Sequence, residues 1–227
     1  MIGKNQESDF TLEGYEEFYE EHKFQPLAEG DWDNAHAVIP RFGWGYDMVE
    51  EHKPKNLLDI GCLDGSFALT IARHFGIPTT GIDLTKDGIN LARERAARDG
   101  LPSEFYQGYA EEVIEKLISE GKKYDIITAF EIIEHVKDVD LFLELIDRVL
   151  APGGNVLLST PAFESPLYGK DDEANKCHIR LFTEAKTNYQ EANKFGTVRT
   201  ATSFPALLGD RIKEMGTYSH LINVRFQ

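Results

Sequence analysis

Two cysteines in 227 residues, Cys62 and Cys177, are too few and too far apart for a disulfide framework or a zinc ligand set. No apolar run approaches the roughly 20 residues needed to cross a bilayer, so the reading contains no membrane insertion. Basic residues are also scarce: 24 Lys and Arg stand against 39 Asp and Glu, a formal net charge of −15. Such a field repels phosphate backbones and counts against a nucleic-acid partner. The deficit is steepest in residues 1–53, with 13 acids and 4 bases. Glu7, Asp9, Glu13, Glu16, Glu17 and Glu20 against Lys4 are the opposite of a secretory or transit peptide. Together with the isolated cysteines, this gives a cytoplasmic expectation. No repeat, low-complexity tract or linker divides the chain, whose length suits one domain able to bury a full core.

What is present is an alternation. Residues 54–160 switch repeatedly between short β-rich runs and runs with helical apolar spacing, as parallel βαβ units do. Strands are expected at 56–60, 79–83, 104–107, 124–129 and 155–160. The helices between them carry Phe67, Ala68, Ile71 and Ala72; then Ile89, Ala92 and Ala96; then Val113, Ile114 and Leu117; then Phe142, Leu145, Ile146 and Val149. Thr85 is placed to cap the second of these, and Pro152-Gly153-Gly154 to turn into the last strand. A loop from Pro161 to about Arg180, a polar helix near 183–194 and β-leaning segments at 197–203 and 220–226 follow, the latter suited to an antiparallel edge. Residues 1–53, with Trp32, Phe42, Trp44 and Tyr46, read as a helical cap belonging to the same domain as the core at 54–227. Gly43-Trp44-Gly45 could hinge a lid, although such aromatics more often belong to a core.

In a doubly wound sheet the ligand lies beyond the carboxyl ends of the strands, so the residues just after them carry most weight. Asp59-Ile60-Gly61-Cys62-Leu63-Asp64-Gly65-Ser66 sets an acid at the end of the first strand and then a glycine-bearing turn into a helix. Asp83 ends the second strand about 20 residues further on, where a carboxylate accepts both hydroxyls of a ribose. The pair points to a nucleoside. A dinucleotide turn needs glycines at its first, third and sixth positions, and counting from Gly61 this chain has Leu63 and Ser66 at the latter two. No Gly-Lys-Ser/Thr element follows the first strand either, so a P-loop is excluded.

Leu57 to Ser66 resembles the first motif of the class I S-adenosylmethionine-dependent methyltransferases, and Gly81-Ile82-Asp83-Leu84 resembles the second. Gly108-Tyr109-Ala110-Glu111 is similar to the adenine-side motif, Tyr124-Asp125-Ile126-Ile127 to the fourth strand, and Leu150-Ala151-Pro152-Gly153-Gly154 to the turn before the fifth. The resemblance covers about residues 54–160. It implies an α/β, doubly wound, Rossmann-like, mostly parallel sheet of seven strands in the order 3-2-1-4-5-7-6, binding S-adenosylmethionine and releasing S-adenosylhomocysteine (SAH). It implies that Asp59, Gly61 and Gly65 hold the methionine end, that Asp83 binds the ribose, that Ala110 and Glu111 flank the adenine, that Cys62 and Leu84 also bind the cofactor, and that Phe130 lines the same cleft. Leu63 departs from the pattern, because the family often has glycine there.

Glu131-Ile132-Ile133-Glu134-His135-Val136 follows the fourth strand and resembles the Glu-x-x-Glu-His stretch of the quinone-biosynthesis O-methyltransferases. His135 is placed to accept a hydroxyl proton, with Glu131 and His178 as further catalytic candidates; the alternative is that Glu134 and His135 only orient the loop. At this motif alone the chain also resembles small-RNA 2′-O-methyltransferases, in which Glu131, Glu134, His135 and His178 would bind a divalent metal. His178-Ile179-Arg180 is similar to an acceptor-side segment of small-molecule methyltransferases, although Arg180 could equally neutralise Asp171, Asp172 and Glu173. The expected function is methylation of a hydroxyl on a small metabolite or glycan. An RNA 2′-O-methyltransferase and a non-catalytic nucleoside-binding scaffold are the alternatives, and the oligomeric state is left open.

Overall fold

The computed structural model describes residues 26–27, 35–161, 197–201 and 219–225. Two helices, α1 (Ala35–Val38) and α2 (Pro40–His52), precede the sheet. Pro40 starts α2, where a missing N–H costs nothing. Then come β1 (Leu57–Ile60), α3 (Ser66–Phe75), β2 (Thr79–Asp83), α4 (Lys86–Asp99), β3 (Ser103–Gln107), α5 (Ala110–Ser119), β4 (Tyr124–Phe130), α6 (Val139–Val149) and β5 (Leu150–Pro161). The strands pair in parallel in the order β3-β2-β1-β4-β5, so the chain starts at the centre, builds one flank, and crosses to the other at β4. The switch lies between β1 and β4, where a doubly wound sheet opens its cleft. Two further extended backbone segments, Thr197–Ala201 and Ser219–Arg225, pair antiparallel with each other, and the second pairs antiparallel with β5.

Strand alternation sorts side chains to the two faces of the sheet. Leu58, Ile60, Ile127, Ala129, Val156 and Leu158 meet α5 and α6 in one buried cluster, while Leu57, Ile126, Phe130 and Leu157 meet α2 and α3 in another. Both faces are covered, which is why these strands read as nearly continuous apolar runs rather than alternating ones. Asp59 and Thr128 fall among the second set and stay polar inside it.

Three local expectations change. Thr85 precedes α4 but makes no side-chain cap; its hydroxyl is drawn to Asp83 instead, at 2.6 Å. Pro152-Gly153-Gly154 lies within the span of β5, whose pairing with β4 shifts register between Tyr124 and Ile126. Gly43-Trp44-Gly45 is no hinge, because it sits inside α2. A Cβ at Gly43 would lie 2.8 Å from the His36 carbonyl oxygen and one at Gly45 2.6 Å from the Phe67 ring, so both glycines serve close helix packing. Trp32, the loop from 162 and the expected helix at 183–194 lie outside the described residues.

Gly65 is another close joint of this packing. It takes φ +72°, and a Cβ there would stand 2.8 Å from the Ala92 Cβ and 2.9 Å from the Phe105 ring. Left-handed backbone costs a side chain about 1–2 kcal/mol and overpacking about 1–3 more. Gly65→Ala should therefore lower the unfolding free energy by about 2–5 kcal/mol in urea titrations; an unchanged midpoint would show the joint to be loose.

Candidate active site

A cavity of about 760 Å³ opens over the carboxyl ends of β1, β2 and β4, within the range of small-molecule sites. Its walls come from the β1–α3 turn, the end of β2, the start of α5, the β4–α6 loop and the N-terminal residues Leu27, Ile39, Arg41 and Phe42. Asp59, Gly61, Cys62, Asp83, Leu84, Ala110, Glu111, Phe130, Glu131 and His135 all line it. Of the described residues singled out from the sequence for cofactor, metal or catalysis, Gly65 and Glu134 do not.

The β1–α3 turn is tied to β2 from below. The N–H groups of Gly61 and Cys62 donate to the Ile82 carbonyl at 2.7 and 3.0 Å, and Leu63 N–H donates to Asp83 Oδ2 at 2.8 Å. Gly61 adopts φ +75° against the Ile132 side chain, which a Cβ would meet at 2.0 Å. Leu63 also lies in the left-handed region, at φ 53°, the conformation glycine takes at no steric cost.

The carboxylates differ in how far their acceptor capacity is used. Asp64 is saturated: Oδ1 accepts from Ser66 N–H and hydroxyl, and Oδ2 from Leu27 N–H and Arg95. Asp83 accepts from Thr85 N–H and hydroxyl on Oδ1 and from Leu63 N–H on Oδ2. That fills three of about four lone-pair sites and leaves Oδ2 room for a further donor. Burial raises its pKa, opposed by the Thr85 and Leu63 hydrogen bonds. Asp59 is nearly fully buried, with Thr128 donating to Oδ1 at 2.7 Å. Burial pushes it up to about 7, the Thr128 bond and Arg41 pulling the other way. The Cys62 thiol, raised by burial and by the three aspartates, stays protonated and inert.

Arg41 escaped the sequence reading. It reaches the cleft from α2, and its Nε is buried with no hydrogen-bond partner among the described residues. A buried unpaired guanidinium nitrogen beside an open carboxylate is a site for a ligand with both an anionic and a cationic group. Its position just ahead of Phe42, Trp44 and Tyr46 gave no periodic signal of its role.

On the far wall, Glu131 takes φ 57°, held there by its N–H to the Ser159 carbonyl at 3.0 Å and by the Ser159 hydroxyl on Oε1 at 2.6 Å. Non-glycine residues in this region store strain, often where function needs it. His135 faces the cleft, its Nε2 4.0 Å from Glu134 Oε1. Glu134 lies behind the wall with neither carboxyl oxygen hydrogen-bonded among the described residues; burial and then the Glu131 charge raise its pKa well above the ordinary range. Among the described residues no cluster of three or more His, Cys, Asp and Glu side chains could hold a metal ion, and His178 lies outside them.

Residues 51–215 match the methyltransferase domain family. The chain belongs to that family. It is a class I S-adenosylmethionine-dependent methyltransferase by fold and sequence alike. The ubiquinone biosynthesis O-methyltransferase of Aeromonas salmonicida is 34% identical over 145 residues, covering 61% of this chain and 59% of that protein. That of Chelativorans sp. is 34% identical over 140 residues, covering 61% and 52%. This chain thus spans under two thirds of the curated relatives it matches. The plantazolicin methyltransferase BpumL, solved in complex with SAH, superposes with a TM-score of 0.61 at 17% identity, covering 93% of this chain and 88% of its own. The methyltransferase domain of a bacterial Hen1 gives 0.60 at 20% identity, covering 84% and 100%. At such identities these structures share the fold.

The residues of this methyltransferase fit its cofactor. S-adenosylmethionine carries an ammonium, a carboxylate and ribose hydroxyls, and the cleft offers an open Asp59 carboxylate, an unpaired Arg41 nitrogen and one free acceptor site on Asp83. Asp59 then carries a measurable conflict. Its folded pKa of about 7 lies above the ordinary 3.8, so the folded protein loses stability as pH rises from 3.8 toward 7, on the order of 4 kcal/mol in full. Asp59→Asn keeps the Thr128 hydrogen bond and removes that cost. The variant should exceed wild type in stability by about 1–4 kcal/mol at pH 8 but not at pH 4, while binding SAH at least tenfold more weakly. Equal stability differences at the two pH values in urea titrations would show that Asp59 is not forced out of its ordinary range.

Proposed function

We propose that this methyltransferase transfers the methyl group of S-adenosylmethionine to a hydroxyl of a small metabolite or glycan. The observation that carries the reading is the cleft wall after β4, where Glu131 and His135 face the same cavity as the cofactor residues. The relatives' name, ubiquinone biosynthesis O-methyltransferase, supports oxygen as the acceptor atom and a small molecule as its bearer. The lining supports the same choice against RNA: it carries seven carboxylates, from Asp59, Asp64, Asp83, Glu111, Glu112, Glu131 and Asp138, against the two cations Arg41 and Lys137.

In this reading Asp59 takes the ammonium and Arg41 the carboxylate of the methionine end, beside Gly61 and Cys62. Asp83 takes a ribose hydroxyl, with Leu84 beside it, and Ala110 and Glu111 flank the adenine. Gly65 acts on the cofactor indirectly, through the packing of α3. The cofactor supplies a methyl group already activated on a sulfonium, so catalysis consists largely of holding the acceptor oxygen in line and removing its proton. The imidazole of His135 accepts that proton. Glu131, fixed by Ser159, orients the acceptor, and His178 is assigned to the acceptor side.

Beyond the described core, we read residues 1–53 as a helical cap of one domain whose methyltransferase core is 54–227, which α1 and α2 support. The two antiparallel segments beside β5 support a sheet of seven strands. Among the described residues no helix is long and apolar enough to cross a membrane, and the unpaired buried thiol of Cys62 suits the cytoplasmic location read from the sequence.

Incubation with methyl-labelled S-adenosylmethionine and a panel of phenols, catechols and sugars should yield a labelled methyl ether. SAH binding with no labelled product from any acceptor pool would favour the scaffold alternative. His135→Ala should lower kcat about 10²–10⁴-fold, the usual worth of a positioned base, with SAH affinity unchanged; a kcat within twofold of wild type would remove His135 from the chemistry.

A further inference from the structure

Arg95 lies in α4, on the same helical face as Ile89, Ala92 and Ala96, and is 2% exposed. Its guanidinium does two things at once. Nη1 donates to Asp64 Oδ2 at 3.0 Å, an ion pair whose side chains are 2% and 5% exposed, and Nη2 donates to the Leu27 carbonyl at 2.6 Å. Leu27 N–H in turn donates to the same Asp64 Oδ2 at 3.1 Å. One buried ion pair thus satisfies both main-chain groups of a single residue that lies 37 positions from Asp64 and 68 from Arg95.

That residue belongs to the cleft. Leu27 lines the cavity, and its side chain packs against the cluster containing Cys62, Ala68 and Phe105 beneath the β1–α3 turn. Asp64 also lines the cavity, yet the donors it already accepts leave it no lone pair for a ligand. A carboxylate placed at the cofactor cleft but fully engaged by Ser66, Arg95 and Leu27 is arranged to hold protein.

We propose that Asp64 and Arg95 are positioning residues for the cofactor: their buried ion pair fixes the backbone of Leu27 so that Leu27 supplies part of one wall of the cofactor cleft. Ion pairing gives the clamp its direction, because a carboxylate accepts the amide and a guanidinium serves the carbonyl, which fixes the polarity of the segment as one step of a β-ladder would. The inference rests on the cofactor reading above, and neither residue touches the reacting atoms.

The test is a double-mutant cycle on the full chain, read by calorimetric titration with SAH and by steady-state kinetics. Leu27→Pro removes the amide donor and leaves the Asp64–Arg95 pair in place, so it tests the clamp even where Arg95→Met, which strands a buried carboxylate, fails to fold. Leu27→Pro and Arg95→Met should each weaken SAH binding at least tenfold. The KM for S-adenosylmethionine should rise in step, with kcat within threefold, and the double variant should be no more than threefold weaker than either single one. Leu27→Pro binding SAH within twofold of wild type, or a double-variant loss equal to the product of the single losses, would overturn the inference. A wild-type protein that binds no SAH would overturn the functional reading and this inference with it, so the two failures are told apart by the control.

Discussion

Three aspartates crowd the carboxyl ends of β1 and β2, and the site is arranged around the cost of keeping their charge out of water. A buried carboxylate needs donors or it takes up a proton. Asp64 is satisfied completely, Asp83 in large part, and Asp59 least, and burial pushes Asp59 up to about 7. The gradient has a functional sense. The carboxylate with the most capacity to spare lines the same cleft as Arg41, whose Nε has no hydrogen-bond partner among the described residues, so an amino acid moiety bound there would relieve both groups together. The fold maintains two poorly satisfied groups, which the proposed ligand would complete.

Strain follows the same geography. Leu63 and Glu131, two non-glycine residues in the left-handed region, both line the cleft, one on the β1–α3 turn and the other just after β4. Each is held by specific hydrogen bonds, Leu63 N–H by Asp83 and Glu131 by Ser159. Backbone forced into such conformations lets N–H groups and side chains point where a regular turn would not send them. At Glu131, just after β4, this leaves a carboxyl group held by Ser159 in the cleft lining.

The sheet and most of the cleft were legible in the sequence because their signals are local. The β2 bounds emerge from β propensity and a terminal acid, and the α3 and α4 faces from helical periodicity ending at glycine. The glycine turn and Asp83 pointed to a nucleoside by spacing, and Gly61 and Asp83 line one cavity. What stayed hidden depends on contacts distant in sequence. The buried pair of Arg95 and Asp64 needs α4 folded against the β1–α3 turn before either charge has a partner. Arg41 gains its place only when α2 docks on the sheet. Gly43 and Gly45 looked like hinge residues because a sequence cannot show that His36 and Phe67 fill the space where their side chains would be. Thr85 looked like a helix cap because the same hydroxyl could serve α4 or Asp83, and the carboxylate prevailed.

The central claim is that the ends of β1 and β2 enclose an adenosine whose methionine portion reaches the Asp59 and Arg41 wall. A crystal structure of the full chain with SAH tests it most directly. The account predicts a ribose hydroxyl within hydrogen-bond distance of Asp83 Oδ2, the ammonium on Asp59 and the carboxylate on Arg41. Clear density for SAH with Asp59 and Asp83 touching neither ammonium nor ribose would contradict it.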